Sequence, residues 1–177
     1  MQLFVMRHGQ TNYNLQGLCN ADPAQDVHLT DEGRQQAQRA AEDLHDQNLE
    51  LILVSELPRT QQTAAIVNQY HQVEIRIEPA INDIRSGFED RPVEDYQSAI
   101  AADRLHRKFN DGESLLEHKL RIVEFLAGLQ HLPYDSILVV AHEETLRVIT
   151  AYFKDLPDDT MLDLHFNNAE VLQFHLP

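Results

Sequence analysis

Three short apolar runs, Leu3–Met6, Leu51–Val54 and Ile137–Val140, constrain this chain most, because each breaks off abruptly at polar residues. Runs rich in β-branched and aromatic residues, with no polar alternation, predict strands buried on both faces. Such strands belong to parallel sheets covered by helices. The segments between them carry helical spacing, so the predicted fold class is α/β: a three-layer α/β/α sandwich with a mostly parallel central sheet. In open α/β sheets ligands bind beyond the carboxyl ends of the strands. The residues that end the runs, Arg7 and His8, Ser55, and His142, therefore stand where a site is expected.

Between the runs the chain reads as follows. Leu15 to His28 is polar and irregular and predicts a loop over that site. Thr30 followed by Asp31 and Glu32 is a helix start, with Ala37, Ala40, Ala41 and Leu44 as a small-residue packing face. Pro58 fits a helix first turn, continued by Thr63, Ile66, Val67 and Tyr70. Val73 to Ile77 alternates apolar and charged residues and predicts a third, edge-proximal strand. From Pro79 to Asp111 charge dominates, with short helices expected around Glu94 to Leu105, and such an excursion can carry substrate selection. Ser114 and Glu117 form a capping-box pattern ahead of an expected buried stripe of Leu116, Leu120, Val123 and Leu126. At the carboxyl end, Leu162, Leu164 and Phe166 alternate with Asp163 and His165, and Asn167-Asn168 separates them from Val171 to Phe174. A hairpin or a pair of edge strands is expected there.

Composition limits the function classes. A length of 177 residues with no repeat or linker predicts a single domain, 1–177. One cysteine, Cys19, forms no internal bridge, and the first residues lack a signal pattern, so a cytoplasmic location is expected. Apolar runs of about five residues fall short of the roughly twenty of a membrane helix, so no membrane partner is expected. A formal charge of −15 argues against a nucleic-acid partner. If the ligand is an anion, its site is a small cationic island in a negative field.

The motifs fit that island. RHGQTNYN, residues 7–14, matches the RHGxTxxN signature of the histidine phosphatase superfamily, the phosphoglycerate mutase-like proteins, at every fixed position. Leu29, Thr30, Gly33, Gln36 and Ala37 resemble the family's LTxxGxxQA helix entry. Ser55, Leu57, Arg59, Gln62, Thr63 and Ala64 resemble its SxLxRxxQTA segment. Asp83, Ile84, Gly87, Phe88 and Glu89 resemble its EIxxGxWEG stretch, Gly112-Glu113-Ser114 its GES turn, and Val139–His142 the strand ending in its second histidine.

The resemblance implies a phosphatase that hydrolyses small phosphomonoesters through a phosphohistidine on His8, without metal or other cofactor. An imidazole attacks phosphorus only when its attacking nitrogen is unprotonated, and Arg7 and Arg59 favour that form by like-charge repulsion. Their planar forks also match phosphate oxygens and the charge that develops on them. His142, Thr11 and Asn14 are the implied further phosphate ligands. Asp83 aligns with the general acid, usually a glutamate, and Glu89 is the reserve candidate. Glu143 stands where the family has glycine; it could point away, meet a cationic part of the substrate, or weaken anion binding.

Other readings stay open. Within the family these are a sugar-phosphate mutase and a phosphatase of phosphohistidine proteins; outside catalysis, a phosphate-binding regulatory module. The sequence HEETL lacks the second histidine of a zinc-protease motif, since position 146 is Leu. His28, His45, His71, His106, His118, His131, His165 and His175 sit mostly among polar residues and are expected in solvent. Cys19 reads as a bystander, and Arg85 and Arg91 as surface charges that could reach substrate.

Overall fold

A computed structural model describes residues 1–177. The chain runs β1 (Gln2–Arg7), α1 (Asn12–Gln16), α2 (Asp31–Leu44), β2 (Leu51–Val54), α3 (Pro58–Val67), β3 (Glu74–Ile77), α4 (Val93–Ile100), α5 (Leu115–Leu129), β4 (Ser136–Ala141), α6 (Glu143–Lys154), α7 (Asp158–Leu162) and β5 (Val171–His175). The five strands form one sheet in the order β3-β2-β4-β1-β5. Pairings among β1 to β4 are parallel, and only β5 runs antiparallel, against β1. No helix is long and apolar enough to cross a membrane.

Successive strand side chains point to opposite faces, so each apolar run serves two cores. Leu3, Val5, Leu51, Leu53, Ile137 and Val139 pack under Ile122, Leu126 and Leu129 of α5 and Leu146 and Ile149 of α6. Phe4, Met6, Ile52, Val54, Leu138 and Val140 face Ala40, Ala41 and Leu44 of α2 and Ala64 and Val67 of α3. This is the expected α/β/α sandwich. The helix starts follow their predicted chemistry: Thr30 accepts from the Gly33 amide, Pro58 opens α3, and Ser114 and Glu117 complete a capping box.

Three expectations are corrected. Leu162, Leu164 and Phe166 form no hairpin strand: Leu162 ends α7, whose first turn holds Asp158 and Asp159. The carbonyls of Leu164 and Phe166 are then spent on the side chains of Arg147 and Arg7 instead of on a ladder. The buried stripe of α5 runs through Leu115, His118, Ile122, Phe125 and Leu129, about 100° around the helix from the expected one; Leu126 is buried as expected, but Leu120 is 60% exposed. His118, expected in solvent, is fully buried, because its ring meets Arg121 and Glu113 under the core.

Candidate active site

Strand register brings distant segments together. Val140 pairs with both Met6 and Val54, so Arg7 and His8, Ser55, and His142 leave the sheet side by side at its carboxyl edge. The loop after β1 is locked against the start of α2. A Cβ on Gly9 would stand 2.4 Å from the Gly33 carbonyl oxygen, and one on Gly33 2.0 Å from that of Gln10. Neither position has room for a side chain. The Gly9 amide donates to Thr63 Oγ1, the Gln10 amide to Gln36 Oε1, and the Leu29 amide to Gln62 Oε1, so the polar motif residues on α2 and α3 splint this loop.

His8 is 4% exposed, and its Nδ1 lies 2.7 Å from its neighbour's carbonyl oxygen on Gly9. A neutral ring donating there leaves Nε2 with a free lone pair. Burial, then the electrostatic influence of neighbouring Arg59, His142 and Arg7, holds the His8 pKa well below the usual imidazole value. The His142 ring centroid is 5.3 Å from that of His8. His142 is 1% exposed, and burial followed by the Arg59 charge also pushes its pKa well down. Its Nε2 is 2.9 Å from Ser55 Oγ, whereas its buried Nδ1 has no hydrogen-bond partner and lies 3.6 Å from Asp83 Oδ2.

Arg59, buried at the start of α3, donates from Nη1 to Asn20 Oδ1 at 2.8 Å, and from Nη2 to the Asn20 carbonyl at 3.0 Å and Asp83 Oδ2 at 2.9 Å. The Asp83 segment is gripped on both sides. Arg121 Nη1 donates to the carbonyls of Ala80 and Asn82, and the amides of Glu113 and Arg85 bond to the Arg85 carbonyl and Glu113 Oε1. Burial alone would raise the Glu113 carboxyl, but His118 and the Arg121 guanidinium, which ion-pairs with it, hold its pKa at about 2.

On the other flank, Arg7 spends Nη1 on the Phe166 carbonyl and on Glu143 Oε2 at 3.0 Å. Its buried Nε has no partner, so the guanidinium edge formed by Nε and Nη2 stays open for an acceptor. Glu143 thus pairs with Arg7 through Oε2, and its second oxygen meets Arg147 at 3.2 Å and His165 at 3.3 Å. Arg147 also ion-pairs with Glu144 Oε2 at 2.9 Å. Burial raises the pKa of Glu144. Thr11 caps α1, with its hydroxyl accepting from the Asn14 amide and Asn14 Oδ1 accepting from the Thr11 amide; the Thr11 hydroxyl hydrogen and the Asn14 Nδ2 group remain as neutral donors.

These groups border a cavity of about 210 Å³ lined by Arg7, His8, Thr11, Asn14, Arg59 and Asp83. The Leu15–His28 loop covers it through Leu18, Cys19, Asn20 and Val27, as expected. His142 stands behind this lining. Glu89 accepts from the Ala21 amide and borders a neighbouring groove, as does Arg85; neither they nor Arg91 line the cavity. Cys19, expected to be a bystander, does line it. Sequence reasoning missed Asn20, Tyr96, Glu144 and Arg147, which also line it. Two guanidinium groups, neutral imidazoles and unpaired donors around a buried nitrogen lone pair can bind an oxyanion and attack its central atom.

The sequence profile described as histidine phosphatase superfamily (branch 1) matches residues 3–176. An adenosylcobalamin/alpha-ribazole phosphatase of Escherichia coli K12 is 32% identical over 170 residues, covering 91% of this chain and 83% of that protein. A protein of Enterobacter sp. 638 named probable phosphoglycerate mutase is 28% identical, covering 97% and 83%. The crystal structure of the alpha-ribazole phosphatase of Shigella flexneri superimposes with a TM-score of 0.87 at 30% identity, covering 98% of this chain and 89% of that one.

Proposed function

Since the chain belongs to the histidine phosphatase superfamily, we propose that it hydrolyses small phosphomonoesters through a phosphohistidine on His8. The observation that carries this reading is the His8 ring, held neutral and buried with Nδ1 against the Gly9 carbonyl, between Arg7 and Arg59. In the first displacement the Nε2 lone pair forms the N–P bond as the P–O ester bond breaks. The open edge of Arg7, the Arg59 guanidinium and His142 Nδ1–H take the charge on the phosphoryl oxygens. Asp83, in its protonated form, gives its proton to the leaving oxygen. As carboxylate it then accepts a proton from water, whose oxygen attacks phosphorus and releases His8. Two displacements give net retention at phosphorus.

We take residues 1–177 as one domain and the chemistry as metal-independent. The local charge that a phosphate dianion meets comes from guanidinium groups, and the protein's net charge of −15 makes a nucleic-acid substrate unfavourable. The test is p-nitrophenyl phosphate hydrolysis in the presence of a chelator. Wild type is expected to turn over and His8→Ala to be inactive. Label from a radioactive phosphomonoester is expected on wild type alone, acid-labile and base-stable. Equal rates in the two proteins would rule out His8 as nucleophile.

A further inference from the structure

Beside the proposed phosphate ligands, the cavity is lined by Tyr96, Glu143, Glu144 and Arg147, and on the reading above this part of the wall is open to the leaving alcohol. Arg147 is the cation of this wall, and each of its nitrogens already faces a protein oxygen: Nε donates to the Leu164 carbonyl at 2.7 Å, Nη2 donates to Glu143 Oε1 at 3.2 Å, and Nη1 lies 2.9 Å from Glu144 Oε2, a buried oxygen that makes no hydrogen bond. Its charge is shared between the two carboxylates Glu143 and Glu144. The charged residue types lining the cavity are Arg7, Arg59 and Arg147 against Asp83, Glu143 and Glu144, so cations do not outnumber carboxyl groups there. A phosphate dianion uses the attraction of Arg7 and Arg59, and any second anionic group would then sit beside two carboxylates. The same wall holds Tyr96, 6% exposed, whose hydroxyl is buried without a partner. A buried unpaired hydroxyl is costly, and a ligand hydroxyl is the complement that relieves it.

We propose that Tyr96, Glu143, Glu144 and Arg147 form a leaving-group subsite that selects phosphomonoesters of uncharged, hydroxylated alcohols and rejects those with a second anionic group. Carboxylate oxygens accept from ligand hydroxyls at this wall, Tyr96 donates to one, and a ligand carboxylate meets like charge.

Glycerol 3-phosphate and 3-phosphoglycerate test this, since they share a carbon skeleton and differ in a hydroxymethyl group against a carboxylate. Each is titrated calorimetrically into the His8→Ala protein, which leaves both esters uncleaved. Glycerol 3-phosphate is expected to bind at least about tenfold more tightly, and Glu143→Gln with Glu144→Gln in the same background to shrink the ratio to within about threefold. Any disturbance of Arg7 by Glu143→Gln weakens both esters together, so the ratio isolates the leaving-group wall. Equal or inverted affinities, binding of neither ester, or a ratio that the double substitution leaves unchanged would overturn the proposal. Failure of the catalytic reading shows separately, as absent p-nitrophenyl phosphate turnover by wild type.

Discussion

Arg59 sets the terms at the scale of single residues. It is almost wholly buried, and its fork is committed to Asn20 and Asp83 through hydrogen bonds that a lysine cannot reproduce in one plane. Arg59→Lys is therefore expected to lower kcat/KM for p-nitrophenyl phosphate by about a hundredfold, the scale of losing two charge-assisted hydrogen bonds. A loss under threefold would show that charge alone is used. Gly33 is the opposite kind of residue, important for what it lacks. Gly33→Ala drives a methyl group into the Gln10 carbonyl and must displace the loop carrying His8; kcat is expected to fall with little change in the urea m value. The motif residues Arg7, His8, Arg59 and Asp83 were legible because they occupy fixed places in short segments. Asn20 and Arg147 were not, since their roles come from pairings with Arg59 and with Glu143 and Glu144 that follow no periodicity.

Among the elements, α5 shows how far a pattern can be read. Its start was legible from Ser114 and Glu117, whose reciprocal hydrogen bonds form as the sequence implies. Ser114→Ala is expected to cost about 1 kcal/mol in urea denaturation. The helix's buried face was not legible, because leucines stand on two sides and the decisive inward residue is His118, which hydropathy assigns to solvent. The exposed Leu120 and buried Leu126 turn that correction into a measurement: Leu126→Ala is expected to cost about 3 kcal/mol and Leu120→Ala less than about 0.5. Similar losses would restore the stripe first expected. Three buried strands needed no such correction, since a run apolar on both faces has no phase to mistake. The supposed hairpin failed because two arginines took its carbonyls, a competition that strand propensity does not register.

For the whole molecule, two buried neutral histidines couple folding to pH. The pKa values of His8 and His142 are held well below the ordinary 6.5 in the fold. Below that value the unfolded chain binds protons that the folded chain does not, so stability falls as pH falls and is fully present only above it. Between about pH 7 and pH 5.5 the two are expected to remove about 2 kcal/mol of unfolding free energy. His8→Gln with His142→Gln is expected to flatten that part of the profile; an unchanged slope would place the pH dependence elsewhere.

Two buried nitrogens at the site that make no hydrogen bond within the protein, Arg7 Nε and His142 Nδ1, bear on the protein's stability as well as its turnover. On the proposed mechanism a phosphoryl oxyanion supplies the acceptors, and the product of the reaction is itself such an oxyanion. Inorganic phosphate is therefore expected to act as a folding ligand, with the melting temperature climbing as its concentration rises; an unchanged melting temperature would show that these nitrogens do not hold it. By the same competition, the rate at low substrate is expected to fall as ambient phosphate rises.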